Sequence, residues 1–379
     1  MRNIVIIAVA ALLAILAGSQ ALSNALASRE PALAARLSPL AAEASEREAA
    51  SLVSADTGAL TIDVSAARGA ASRALDRSLL STEALAILAL ASPDPDRQAE
   101  IMEGALALSR RGRVLNSAAM MTYAETRQVD ELLETLNRTL LIYPSQKEAM
   151  IPLLIEQLSN DGLVPAFVDL LATEPQWAED FLVEAAVQDE LADNLAAIRL
   201  ALPRDTQVGY EADRSILRAL ARVRSYDTAA QLYARILGEE SLPPVSGSLG
   251  WGNVYSPFHW DVYDRAGRFA RVDSDGNALG LTVRSGNGGL LARRLIRLPE
   301  TTTVFQVSHT LDVRSASHVR LTLQCAQGEG RWSDTLGPSP TMMRVDQELD
   351  CEYVWLGITA RAPAGTVPLS GQITDITVM

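Results

Sequence analysis

The hydrophobic pattern of the chain changes near residue 245. Before this point apolar residues recur at helical spacing, as in the segments Ile101–Leu108 and Leu132–Leu141. After it they alternate with polar residues, as in Phe305–His309 and His318–Cys325, and glycine-rich turns separate the runs. The pattern predicts a helical region followed by about nine or ten short antiparallel strands, an arrangement typical of a jelly-roll-like β-sandwich.

Composition changes at the same place. Alanine and leucine dominate the first part, whereas glycine, threonine, valine and aromatic residues mark the second. The segment between them is rich in proline, glycine and serine, which is typical of a linker. We therefore predict an N-terminal segment over 1–28, a helical domain over 29–240, a linker over 241–250 and a β-domain over 251–379.

The helical part contains a weak internal repeat. The equivalent residues Leu75, Leu106, Leu140, Leu171 and Leu237 are separated by 31, 34, 31 and 66 residues, and 66 is two periods of 33. A helix pair repeated about every 34 residues is the tetratricopeptide period. No unit has the characteristic Trp, Gly and Pro together, so an irregular helical bundle is the alternative. The repeat predicts a tetratricopeptide-like solenoid with a concave groove for protein partners.

The first 28 residues predict export from the cytoplasm. Arg2 precedes fourteen consecutive apolar residues, Ile4–Ala17. A span continued to Leu22 is close to the roughly 20 residues that cross a bilayer, so a retained single-pass membrane helix is expected. The alternative is a signal peptide cleaved after Ala25–Ala27. Because the chain is rich in Arg and Ala and contains one Lys, a GC-rich bacterium and its periplasm are expected.

The net charge of −13 belongs mostly to the helical part. Residues 1–245 hold 33 of the 46 acidic and 21 of the 33 basic side chains. This balance argues against a nucleic-acid partner, since such proteins need a basic surface. The chain has neither a Gly-x-Ser-x-Gly elbow nor a phosphate-binding loop, and its Cys and His residues lack metal-ligand spacing. The sequence therefore predicts a non-enzymatic protein without metal or cofactor.

Two cysteines are a candidate disulfide. Cys325 ends one predicted strand and Cys351 begins another, 26 residues later, in a compartment expected to be oxidising. A disulfide between the two strands is expected, and two free buried thiols are the alternative.

Four tryptophans of the β-domain are candidate sugar-stacking groups. Trp251 follows the linker and Trp332 follows a glycine turn, so these two are the better candidates for exposed rings that contact a glycan. Trp260 and Trp355 lie among apolar neighbours and are expected in the core. The alternative for Trp251 and Trp332 is packing.

Two arginine clusters are candidate sites for an acidic partner or polysaccharide. Arg110, Arg111 and Arg113 form the first, and Arg293, Arg294 and Arg297 form the second. Ion pairing with nearby acidic side chains is the alternative for both clusters.

The order of parts is similar to that of membrane-anchored, tetratricopeptide-repeat envelope proteins of alphaproteobacteria. The segments Ala105–Arg111, Glu174–Leu182 and Ser256–Asp261 carry this resemblance. It implies a periplasmic scaffold or adaptor that is accessory to polysaccharide export or assembly, and it transfers no catalytic residue. A carbohydrate-binding protein that acts through the β-sandwich is the alternative, and an unrecognised polysaccharide-modifying enzyme is the third hypothesis.

Overall fold

The computed structural model describes residues 2–38, 42–56, 59–62, 64–265, 267–299, 303–346 and 349–379. A helical region precedes a region of antiparallel strands, which confirms the predicted order of α followed by β. The chain forms two compact units, residues 1–157 and 158–379. The division between them lies inside the helical region and not at the predicted linker.

The first unit is mainly helical. Asp94 shows how the sequence starts one of its helices, because the Asp94 carboxylate accepts a hydrogen bond of 3.1 Å from the Asp96 amide and Pro95 occupies the first helical position. A short hairpin of β1 (Val53–Asp56) and β2 (Ala59–Ile62) was not predicted. The helices are α1 (Arg2–Leu26), α2 (Pro31–Leu37), α3 (Ala42–Ser51), α4 (Val64–Arg77), α5 (Thr82–Leu90), α6 (Pro95–Leu108), α7 (Arg113–Thr126), α8 (Val129–Ile142) and α9 (Lys147–Leu158).

The apolar N-terminal run lies in helix α1. In the part of the chain that the structure describes, no helix combines the length and the apolar character needed to cross a membrane. The second half of α1 is polar in part: the Ser23 hydroxyl donates to the Ala34 carbonyl at 2.8 Å, and the Ser38 hydroxyl donates to the Gln20 side chain at 2.6 Å.

Five helices begin the second unit. Aromatic side chains fill the space between the first two, where the rings of Phe167 and Phe181 stack at 5.4 Å and Trp177 meets Phe181 edge-on at 5.8 Å. The last helix ends at Gly238, whose φ of 78° suits a left-handed cap. The helices are α10 (Val164–Leu171), α11 (Ala178–Ala185), α12 (Ala192–Ala201), α13 (Tyr210–Arg222) and α14 (Tyr226–Leu237).

Hydrogen bonds between neighbouring helical segments recur at nearly constant sequence separation. In the second unit, the Arg222 guanidinium donates to the Asp189 carboxylate at 2.7 Å, 33 residues away, and the Ser225 hydroxyl donates to the Asp193 carboxylate at 3.1 Å, 32 residues away. In the first unit, the Tyr143 hydroxyl donates to the Arg111 carbonyl, 32 residues away. These separations lie close to the spacing of 31 to 34 residues between the repeated leucines of the sequence.

The strands of the second unit form two antiparallel sheets. The first has the order β11-β10-β13-β8-β4, the second has the order β12-β9-β14-β7-β6-β5, and β3 also pairs with β14. A four-residue helix, α15 (Val313–Ala316), precedes β10. The strands are β3 (Gly247–Ser248), β4 (Asp261–Val262), β5 (Asp264–Arg265), β6 (Arg268–Val272), β7 (Leu279–Val283), β8 (Gly288–Arg297), β9 (Val304–His309), β10 (Val319–Cys325), β11 (Arg331–Thr335), β12 (Thr341–Arg344), β13 (Tyr353–Arg361) and β14 (Leu369–Val378).

Buried residues of both sheets belong to one hydrophobic core. The alternation predicted for β10 is confirmed, since Val319, Leu321, Leu323 and Cys325 are buried. The turn between β6 and β7 is a hairpin closed by Asp273, whose carboxylate accepts a hydrogen bond of 2.7 Å from the Asn277 amide.

The predicted linker 241–250 is partly ordered on the sheets. Its residues Gly247 and Ser248 form β3 against the end of β14, and the Leu249 amide donates to the Ile376 carbonyl at 2.9 Å. Helix α14 also packs on the segment that follows, where the rings of Tyr233 and Phe258 stack at 4.7 Å. The last helices and the sheets are therefore one packed body rather than two modules joined by a free linker.

Candidate binding cleft in the second unit

A cleft of about 530 Å³ lies where α13 and the start of α14 meet strands β4, β8 and β13. Its walls combine arginines, aromatic rings and one carboxylate. The lining residues that carry the argument are Arg218, Arg222, Arg224, Arg293, Asp261, Tyr226, Tyr263 and Trp355.

Asp261 holds two of these arginines in place. The Arg218 guanidinium donates to one oxygen of the Asp261 carboxylate at 3.3 Å, and the Arg293 Nε lies 3.9 Å from the other oxygen. Asp261 lies on β4 directly opposite Arg293 on β8, so strand pairing places the carboxylate and the guanidinium side by side.

Arg293 is also stacked on aromatic rings. Its guanidinium carbon lies 4.3 Å from the ring centre of Trp355 and 5.9 Å from that of Tyr263. The Tyr226 ring meets Trp355 edge-on from the helical side at 6.4 Å. Contacts of this kind fix the plane of the guanidinium before any ligand arrives, which reduces the entropy lost on binding.

The cleft is locally basic in an acidic protein. Four arginines and one carboxylate line it, which leaves an excess of three positive charges. The charge of Arg222 is offset by an ion pair of 2.7 Å with Asp189, a residue that does not line the cleft. Burial raises the pKa of the Tyr263 phenol, so this ring stays neutral at physiological pH. The remaining positive charge makes the cleft suitable for an anion.

A buried polar layer lies beside the cleft. The His259 Nδ1 accepts a hydrogen bond of 3.2 Å from the Tyr255 amide, and its ring meets Tyr233 edge-on. Arg294 donates to the Leu249 carbonyl at 2.6 Å and lies over the Trp260 ring. Burial lowers the pKa of Arg294 to about 10.

The stability of this unit should fall in acid because of His259. Burial, and secondarily the charge of Arg294, lowers the pKa of His259 from 6.5 to about 4 in the folded protein. The unfolded chain therefore binds more protons between about pH 6.5 and 4, so stability present above pH 6.5 is lost as the pH falls. A full shift of this size corresponds to about 3 kcal/mol, and partial solvation of the ring reduces the expected loss to about 2 kcal/mol.

Urea unfolding at a series of pH values measures this loss. His259→Gln should remove that part of the pH dependence, whereas His318→Gln, a matched change elsewhere in the strand region, should keep it. An unchanged pH slope in His259→Gln would contradict the assignment.

The expectation that Trp251 and Trp332 are exposed is wrong. Only 5% of Trp251 and 6% of Trp332 are accessible, and both belong to the core of the sheets. The Trp251 indole donates to the Thr374 carbonyl at 3.3 Å, since the segment before it is paired with β14. Trp332 lies opposite Leu323 across β10 and β11 and therefore faces inward. These two rings are not available to stack on a sugar.

The two remaining tryptophans differ from each other. Trp260 is buried, which confirms its predicted place in the core. Trp355 is only partly buried and lines the cleft, so its predicted place in the core is wrong. Val354 and Leu356 face the core, and the period of two along β13 turns Trp355 to the opposite face.

The arginines of the first predicted cluster lie at the exposed N-terminal end of α7. Arg110 pairs with Glu134 at 3.6 Å, although both side chains are mostly exposed, so the pair is weak. Arg111 and Arg113 are exposed and have no ion pair with the residues that the structure describes. The second cluster separates: Arg293 enters the cleft, Arg294 is a buried donor, and Arg297 pairs with Glu352 at 2.7 Å.

The cysteines are joined in the structure. A disulfide connects Cys325 and Cys351, whose Cα atoms are 5.8 Å apart. It ties the end of β10 to the segment that leads into β13, the neighbouring strand. In the described part of the chain, no group of three or more metal-ligating side chains is assembled.

Sequence reasoning missed most of the cleft. Arg218, Asp261 and Tyr263 have no distinguishing motif, because they come from a helix, a two-residue strand and a loop that meet only in the fold. For Trp355 the sequence did contain a signal. Trp355 has an odd residue number in a strand whose even-numbered residues are aliphatic, and this places it on the opposite face.

Comparisons with known proteins do not assign a function to the cleft. No protein-family model matches this chain, and no curated protein matches it either.

Proposed function

We propose that this chain is a non-enzymatic accessory protein of envelope polysaccharide export or assembly, and that its cleft binds an acidic polysaccharide. The observation that carries the proposal is that Arg293 lies over the rings of Trp355 and Tyr263 in a cleft with excess positive charge. Guanidinium groups pair with the carboxylates or sulfates of acidic sugars, and aromatic rings pack against the pyranose faces.

We also propose an architecture for the helical and the strand regions. The recurring separations of 32 to 37 residues between bonded helical segments support a tetratricopeptide-like solenoid that would offer protein partners a groove. The core shared by two antiparallel sheets supports a jelly-roll-like β-sandwich.

The proposed compartment is the periplasm. The disulfide supports an oxidising environment, because such bonds rarely persist in the cytosol. The N-terminal segment would either hold the protein at the inner membrane or be removed during export. The resemblance to alphaproteobacterial envelope proteins agrees with this location.

Binding is favoured over hydrolysis for a specific reason. Glycoside hydrolysis generally uses two carboxyl groups on either side of the scissile bond. The cleft lining contains one carboxylate, Asp261, and this group is already paired with Arg218 and Arg293.

Replacement of Arg293 should weaken binding of an acidic polysaccharide. We expect the full chain to bind a polyuronate and not neutral dextran, and Arg293→Ala to raise the dissociation constant by at least about tenfold, since a charge-assisted contact contributes about 1.5–3 kcal/mol. Isothermal titration calorimetry with both polysaccharides measures this. Binding should also weaken with added salt.

Two further variants make the test decisive. Trp355→Ala should weaken binding because it removes the support under Arg293, whereas Arg331→Ala removes an exposed arginine of the edge strand β11 and should leave affinity unchanged. Equal affinity for dextran and polyuronate, or equal loss in Arg331→Ala and Arg293→Ala, would overturn the proposal.

A further inference from the structure

A second cavity of the same unit, about 280 Å³ in volume, lies among α12, α13 and α14. Its wall includes Arg199 at the end of α12, Arg204 in the loop that follows, Asp213 in the first turn of α13 and Arg235 on α14. The cleft proposed to bind polysaccharide shares none of these residues.

The charges around this cavity do not balance. Arg199 and Asp213 form a two-pronged pair in which Nε donates to one carboxylate oxygen at 2.7 Å and Nη2 donates to the other at 3.3 Å. Asp213 is the one carboxylate among the lining residues, so the three guanidinium groups leave an excess of two positive charges. The nearby Glu179 packs against Gly209 and does not line the cavity.

Donors of two of these arginines lack partners. Arg199 is 93% buried, and its Nη1 has no hydrogen-bond partner among the residues that the structure describes. Arg235 donates through Nη2 to the Leu202 carbonyl, and its buried Nε likewise has no described partner. Burial, followed by the charges of Arg199 and Arg204, lowers the pKa of Arg235. Buried donors of this kind are normally satisfied, and both belong to arginines that line the same polar cavity, which points to an acceptor bound there.

We propose that this cavity binds a doubly charged tetrahedral oxyanion, a phosphate or sulfate group. Two negative charges offset the excess of two, and several oxygen atoms accept bonds from converging guanidinium groups. The volume holds one such group with a small substituent and not a polysaccharide chain. The site is independent of the proposed cleft, because the two have different lining residues.

Thermal unfolding of the full chain tests the site. Millimolar inorganic phosphate at about pH 8, where the ion is mainly doubly charged, should raise the melting temperature more than chloride at equal ionic strength. Sulfate in the same assay distinguishes the two oxyanions. Isothermal titration calorimetry gives the affinity directly.

Arg204→Gln is the main variant, because Arg204 is exposed and its replacement should not affect folding. It should weaken anion affinity by about fivefold or more, and Arg235→Gln by about tenfold. Arg331→Gln should leave the affinity at the wild-type value. Arg293→Ala should retain anion binding, which separates this site from the cleft. The inference is overturned if neither phosphate nor sulfate stabilises the wild type beyond chloride, or if Arg204→Gln and Arg331→Gln behave alike.

Discussion

Asp213→Ala should destabilise the second unit by about 3–5 kcal/mol, because it leaves a buried guanidinium without its carboxylate. The side chains of Arg199 and Asp213 are only 9% and 8% exposed, and they are joined through both carboxylate oxygens. Arg235 and Arg204 lie nearby, so the loss of Asp213 also leaves three positive charges around one cavity.

Urea unfolding followed by tryptophan fluorescence measures this effect specifically. All five tryptophans lie after residue 157, so the signal reports on the second unit alone. The buffer should contain neither phosphate nor sulfate.

A double variant and an exposed pair serve as controls. Arg199→Met combined with Asp213→Leu replaces the pair with apolar groups and should recover most of the lost stability, since an isosteric apolar pair is often neutral. Asp189→Ala breaks the exposed pair with Arg222, which also lies in the second unit, and should cost less than about 1 kcal/mol. A loss below about 1 kcal/mol in Asp213→Ala would show that the buried pair does not form.

Removal of the disulfide should cost about 3.5 kcal/mol of unfolding free energy. The bond between Cys325 and Cys351 closes a segment of 26 residues, and on the chain-entropy model a loop of this length restricts the unfolded state by about that amount. Cys325→Ser combined with Cys351→Ser, compared with the oxidised wild type by urea unfolding, gives the difference.

Reduction of the wild type provides an internal control. A reductant should lower wild-type stability to about that of the double variant and should leave the double variant unchanged. In protein taken from its native compartment and denatured without reductant, a thiol reagent should label neither cysteine. Labelling of both would mean that the bond does not form in the cell.

The local hydrophobic pattern predicted the helices and strands of this fold well, and it predicted the tertiary contacts between them poorly. Alternation along β10 identified its buried face, because one sheet face is apolar and the strand period is two. The cleft depends instead on Arg218 of α13 and Asp261 of β4, which are 43 residues apart and adjacent only after folding. No local rule encodes such a contact.

The tryptophans show where composition was misleading. A segment rich in proline and glycine suggested a free linker and an exposed Trp251, but Gly247 and Ser248 pair with β14 and draw Trp251 into the core. Trp355 was assigned to the core by its apolar neighbours, although the strand period already placed it on the other face. For Trp355, the strand period was therefore a better guide than the apolar character of its neighbours.

The stacked rings of Tyr233 and Phe258 limit how this chain could be recombined during evolution. A sheet domain transferred to another protein at the compositional boundary would leave Phe258 without the helical face that covers it. Exchange of domains is better tolerated at the boundary between compact units, and here that boundary lies near residue 157, before α10. The helices and the sheets therefore form one evolutionary unit. We expect related sheets in other proteins to be preceded by helices equivalent to α13 and α14.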